Sequence, residues 1–303
     1  MTVMEMLQRD LNTILSPAAP SDINLRTLGH AYGLSGLVCV IAERPLYVSY
    51  DVSAKVLDMA IQLLKRAGEH DVKVAGVEVE VAWTLIAALM SLGPNFVRPH
   101  VSQLLVLWRN ALPKPTTKEN SMGRSFAEWM FLLHVRESAL GAILSFLRHN
   151  NNAGANLVTL DVGRRISSVL GNALQFANAV DTGSNNGDSE TQQAQQQTKG
   201  LTIQDREALL RRRIYQCFTI LGFSSLPDTT QGALLQSTIK LFGSSEGYAG
   251  SSVQAAIASS SGTFTSVWQT FDGYAYGTTY LEVEAKDGDI IEGSFETLVC
   301  SFH

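Results

Sequence analysis

The sequence is short of charge and of cysteine, and each shortage excludes something. Lys, Arg, Asp and Glu make up only 17% of 303 residues, against 45% apolar residues. With so little charge, helix faces must cover one another, the balance of an internal stretch of a stacked helical array. Cys39, Cys217 and Cys300 are too few and too widely spaced for a disulfide framework or a four-ligand zinc site. Cys39 and Cys217 stand in apolar helical context, where a buried, inert thiol is expected, and a reducing cytosol fits. The net charge of -5, from 23 basic and 28 acidic residues, gives no general attraction to phosphate backbones or anionic lipid, so nucleic acid is not an expected partner. Met1 to Leu15 carries Glu5 and Asp10 and lacks the apolar core of a secretory signal; it reads as a short amphipathic helix. The longest nearly uncharged apolar run, Val81 to Gly93, falls well short of the ~20 residues that cross a bilayer, so no membrane span is expected.

What the sequence does have is helical periodicity. Val52, Val56, Met59 and Leu63 follow the spacing of one buried stripe, as do Val74, Val77, Val81, Leu85, Ala88 and Leu92. Val162, Ile166, Val169 and Ala173 repeat it, and so do Leu210, Ile214, Phe218 and Leu221. Breakers stand between the stripes at Arg44-Pro45, Ala67-Gly68, Gly93-Pro94, Pro113-Lys114-Pro115, the Asn150 to Gly154 tract and Ser225-Leu226-Pro227. Taken in pairs, the helices begin near Asp22, Val74, Phe126 and Gln204, at spacings of about 52, 52 and 78 residues. Removing a polar insert of about 20 residues brings the last spacing to about 58, near the long end of helical-hairpin repeats. The expected fold is therefore all-α, an α-solenoid of HEAT-like antiparallel helix pairs over residues 1–242. The insert, Asp181 to Gly200, holds no large apolar residue and is expected to be a disordered loop. Residues 243–303, rich in Ser and Gly and then acidic, are expected to form an irregular tail. That tail ends without a polar capping helix, as a fragment of a longer array would.

Few constellations suit chemistry. Gly243-Ser244-Ser245-Glu246-Gly247 matches the G-x-S-x-G elbow of serine hydrolases, but the motif needs a preceding buried strand and Leu234 to Phe242 reads as helix. A helix-ending Gly243 accounts for it better, which leaves a hydrolase using Ser245 as a minor alternative. His30, His70, His100, His134, His149 and His303 share no ligand spacing, so no metal, cofactor or catalytic residue is assigned. Arg136 and Glu137 are expected as polar partners near His134. Successive helical residues point about 100° apart, so Arg211, Arg212 and Arg213 are expected to spread over a solvated face, with Arg164 and Arg165 on a neighbouring helix. The run from Glu282 to Glu292 lacks the ordered spacing of a calcium loop and reads as solvated. Gly29, Gly33 and Gly36 each cost about 1 kcal/mol in a helix, and close approach of another helix is the expected compensation. Trp83, Leu85, Leu107, Trp108, Trp129 and Leu133 are the expected core.

Val77 to Pro94, followed by Val97-Arg98-Pro99-His100 and by Leu104 to Asn110, resembles the HEAT repeat-containing protein five family, very large HEAT-repeat proteins that include the fungal accessory protein of the trans-Golgi clathrin adaptor. Arg136 to Ile143 and Ser244 to Ala249 extend the resemblance, which runs roughly from Asp22 to Tyr280 and is most specific over Val77 to Ala111. It implies a non-enzymatic α-solenoid without cofactor. Its partners would be the clathrin adaptor complex and its accessory subunits, in traffic between endosomes and the trans-Golgi network, including retrograde transport. It further implies a cytoplasmic protein recruited peripherally to trans-Golgi, endosomal and clathrin-coated vesicle membranes through those partners. Family members are far longer than this chain, which would carry only part of the scaffold. No partner-binding residue can be transferred, and a HEAT scaffold of nuclear transport or of kinase type is the alternative within the fold.

Overall fold

The apolar spacing and the breakers set the helices. In a computed structural model, which describes residues 2–41, 50–115, 125–151, 156–184 and 203–221, α1 (Val3–Thr13) opens on a capping box. The Glu5 amide donates to Thr2 Oγ1 at 3.3 Å, and the Thr2 amide to Glu5 Oε2 at 2.8 Å. Helix α2 (Ile23–Ile41) follows, then α3 (Tyr50–Arg66) with a 3-10 turn over Ala67–Glu69. The Asp71 carboxylate accepts the amides of Lys73 and Val74 and so starts α4 (Val72–Met90). After α4 the chain turns at Gly93, whose φ of +82° is a conformation side chains rarely adopt. Pro94 then opens the short α5 (Pro94–Val97), as its fixed φ favours at a helix start. A 3-10 turn (Arg98–His100) leads into α6 (Val101–Ala111), α7 (Phe126–Asn150), α8 (Leu160–Ser184) and α9 (Ile203–Leu221). Helix accounts for 85% of the described residues and no strand occurs among them, so the described part of the chain is all-α.

The described residues fall into two compact units. The first takes residues 1–106 and 137–159. Its centre is α4, in which every residue from Val77 to Met90 is buried, including Glu78 and Glu80. A helix apolar on all sides needs neighbours on all sides. Helices α2 and α3 pack against it, and α1 packs on α2. From α7, Ser145 Oγ donates to Ala87 O at 2.7 Å and Asn150 Nδ2 to Met90 O at 3.0 Å, which satisfies carbonyls in the last turns of α4.

The second unit takes residues 107–136 and, among those described, 160–184 and 203–221. Helices α8 and α9 pack together, burying the two stripes that begin at Val162 and Leu210. Asn172 Nδ2 donates to Leu112 O at 3.3 Å, and Trp108 is buried nearby in sequence.

Three expectations change. Trp83, Leu85, Trp108 and Leu133 are core, but Leu107 and Trp129 are only half-buried, because each lies at the edge of its helix's buried stripe. Helix α8 runs four residues into the polar insert, to Ser184; the rest of the insert and the tail boundary at 242/243 lie outside the described residues. Among the described residues no helix approaches Gly29, Gly33 or Gly36: a Cβ on any of them would meet nothing within 4 Å. They lie away from the buried stripe of Ile23, Thr27, Ala31, Leu34 and Val38, and nothing in the structure explains them. Among the described residues one helix, Ala127–Asn150, with Arg136 and Glu137 in its middle, is long and apolar enough by length and composition to cross a membrane. Of its most apolar window, 78% is buried inside the protein, as in a core helix.

Candidate functional site

The chemistry-bearing side chains of the first unit gather around buried carboxylates. Asp10 sits one turn before the end of α1 on its buried side, with a side chain 0% exposed. Arg26 grips it from α2, with Nε donating to Oδ2 at 3.0 Å and Nη2 to Oδ1 at 3.1 Å. One turn on, His30 Nδ1 lies 2.8 Å from Oδ2. Burial pushes the Asp10 carboxyl up, but the hydrogen bonds and charges of Arg26 and His30 together outweigh it and hold the group below its ordinary value. The Asp10 hydrogen bond, set against partial desolvation, raises Arg26 in turn.

A second cluster repeats this design. The fully buried Glu78 of α4 faces Arg66 of α3, whose Nε is 2.6 Å from Oε1, and His70, whose Nδ1 is 2.7 Å from Oε2. The Arg66 contact is close enough for an ion pair but not aligned for a hydrogen bond. Glu80, also buried, accepts from Tyr32 Oη of α2 at 2.6 Å. These groups join α1 to α2, α3 to α4 and α2 to α4, so their geometry serves packing.

The second unit buries cations. Arg211, Arg212 and Arg213 are not on a solvated face: all three are buried. Their 100° separation holds, but each direction leads into protein. Arg211 pairs with Glu207 and donates through Nη1 to Asn178 Oδ1 at 2.9 Å, while Arg213 Nη1 donates to Gln216 Oε1 at 3.0 Å. Arg136, also buried, donates to Leu132 O and stacks 3.7 Å from the Phe176 ring centroid, a cation-π contact extended by Trp129 against the same ring. His134 is met by Arg206, whose Nη1 donates to Nδ1 at 3.0 Å. Arg164 and Arg165 are exposed, and Arg165 pairs with Asp161 one turn back.

Every described histidine has a partner inside its own unit, His100 against the Phe96 ring and His149 on Ser145 O. Among the described residues no group of three or more His, Cys, Asp and Glu could hold a metal ion. Cys217 is buried and Cys39 half-buried. Ser245, Cys300, His303 and the acidic stretch from Glu282 to Glu292 lie outside the described residues.

A concave feature of the first unit is a groove of about 460 Å³ lined by α1 and α3. Met4 and Leu11 of α1 and Met59 and Leu63 of α3 form its apolar lining. Gln8, Asn12 and Gln62 add carboxamides, and Lys55, Asp58 and Arg66 add charge, all three from α3. Sequence reasoning missed both this groove and the carboxylate clusters. The available signal was Val77-Glu78-Val79-Glu80-Val81, two acids in an apolar helix with no polar face to carry them. No family model matches the chain, and no solved structure matches it.

Proposed function

We propose that the chain is a non-enzymatic scaffold of HEAT-like antiparallel helix pairs that binds proteins of the clathrin adaptor machinery, in traffic between endosomes and the trans-Golgi network, including retrograde transport. The observation that carries the scaffold reading is α4. It holds the first part of the most specific stretch of the family resemblance, and its residues from Val77 to Met90 are wholly occupied by packing. A segment so enclosed contributes cohesion, and binding falls to the polar residues on the outside of the stack. The clathrin pathway is supported by the resemblance over Val77 to Ala111. In this reading the protein is cytoplasmic and reaches trans-Golgi, endosomal and coated-vesicle membranes peripherally, through its partners.

Affinity capture with the tagged chain, followed by quantitative mass spectrometry, tests the pathway. Enrichment of clathrin adaptor subunits and their accessory proteins is expected. Enrichment of nuclear-transport cargo, or of none of these, overturns it. Fluorophosphonate labelling that Ser245→Ala abolishes would overturn the non-enzymatic part.

A further inference from the structure

We infer that Ser16, in the segment joining α1 to α2, is the acceptor site of a proline-directed protein kinase, and that a phosphate placed there loosens α1 from α2. The inference goes beyond the scaffold reading and is independent of it.

Three observations carry the site. Ser16-Pro17 is the one Ser/Thr-Pro dipeptide in the sequence. Kinases that select proline after the acceptor close an apolar pocket over that residue, where any other residue would leave its amide N–H unpaired; proline has none. Next, the hydroxyl is accessible. Ser16 is exposed, its Oγ accepts the Ala18 amide at 3.4 Å, and among the described residues its own proton has no acceptor.

The third observation is that the segment can be drawn out without disturbing the core. Ile14 and Ile23 are its buried anchors, and of the eight residues between them seven are exposed and Ala19 is half-buried. Around Ser16 the backbone is held by its own amide on Thr13 O at 2.9 Å and by the Ala19 amide on Ser16 O at 3.0 Å. Such a turn, with Pro17 in its second position and no large side chain anchoring it, opens at low cost into the extended form a kinase cleft takes.

In the transfer, Ser16 Oγ attacks the γ-phosphorus of ATP, the bond to the β-phosphate oxygen breaks and ADP leaves, while the hydroxyl proton passes to the kinase's catalytic aspartate. The phosphate stands three residues beyond Thr13, the last residue of α1, and brings a charge of about -2 to the carbonyl end of that helix, whose partial charge has the same sign. At the other end of the segment, the exposed Asp22 repels it from the start of α2. The end of α1 carries Asp10, which Arg26 and His30 of α2 meet at 3.0 and 2.8 Å. Fraying there slackens that grip, and Arg9 and Arg26, the cations nearest to Ser16 in the sequence, are the ones for which the phosphate competes with Asp10.

Incubation of the full chain with Mg-ATP and a recombinant mitogen-activated protein kinase, and in parallel a cyclin-dependent kinase, tests this, with sites mapped by mass spectrometry. Phosphate is expected on Ser16. Ser16→Ala should remove it, Ser16→Thr should retain it, and Pro17→Ala should lower the initial rate at Ser16 at least tenfold; circular dichroism checks the fold of each variant. In the phosphorylated chain, amide hydrogen exchange over residues 3–15 should be about two- to fivefold faster, with α4 unchanged. Absence of phosphate on Ser16 with both kinases, its appearance only after heat denaturation, or a rate indifferent to Pro17→Ala overturns the site. Exchange in α1 that is unchanged or slower on phosphorylation overturns the loosening.

Discussion

The two units bury charge of opposite sign, and they do it differently. In the first, carboxylates go inside and basic side chains come to them from the rim: Asp10 and Glu78 have no exposed side-chain surface, while Arg26, His30, Arg66 and His70 stay between 20% and 38% exposed. In the second, the arginines themselves go inside, to neutral or ring acceptors such as Asn178, Gln216, Leu132 O and the Phe176 face as well as to Glu207. A carboxylate is compact and accepts on two oxygens only, so its burial demands basic or hydroxyl partners from the neighbouring segments. A guanidinium is planar and weakly hydrated and carries five donors, so dispersed partial charges can meet it. The lesson concerns sequence reading: an acid on an apolar stripe marks a junction between two helices, whereas an arginine there can be satisfied locally.

Glu78→Ala should be the largest break in this comparison. It strands Arg66 and His70 against an apolar helix and leaves a cavity, at roughly 3–5 kcal/mol in urea unfolding. Asp10→Asn should cost less, about 1–3 kcal/mol near neutral pH, by weakening a charged hydrogen-bond set at the edge of the unit. Its more telling effect is on pH dependence. Because Asp10 is lowered from its ordinary 3.8, its stabilisation is complete above that value and is lost as pH falls through the depressed one. Unfolding midpoints between pH 2 and 7 should fall less steeply on the acid side in the variant. Arg213→Met sharpens the contrast, since exchanging a locally satisfied buried cation for an apolar chain of similar length should change stability by about 1 kcal/mol or less. A loss as large as that of Glu78→Ala would remove the distinction between the units. Gly33→Ala is the smallest test: with open space around the new Cβ, it should stabilise the first unit by up to about 1 kcal/mol in thermal unfolding.

The helices themselves were legible. Pro94, Pro113 and the Asn150 tract stand next to the ends of α4, α6 and α7, and the stripes beginning at Val162 and Leu210 are buried. Breakers act through backbone sterics and stripes through their period, both local properties. Glu78, Glu80 and the three arginines were not legible, because a charged residue on a helix looks the same in sequence whether its face meets water or a neighbour. The glycines of α2 failed for the same reason: small residues permit close approach but do not compel it. The groove was not legible because its two walls are some forty or more residues apart in the chain.

By itself the sequence determined where the described chain turns helical, where most of those helices stop and which stripe of most of them is apolar, because hydrogen bonding within a helix and backbone sterics act over a few residues. Only the tertiary structure decided that α4 is enclosed on every side, that Asp10 and Glu78 are clamped by cations from neighbouring helices, and that Arg211, Arg212 and Arg213 lie inside. Burial depends on what arrives from distant parts of the chain, and the electrostatic worth of a charge changes with the medium it ends up in.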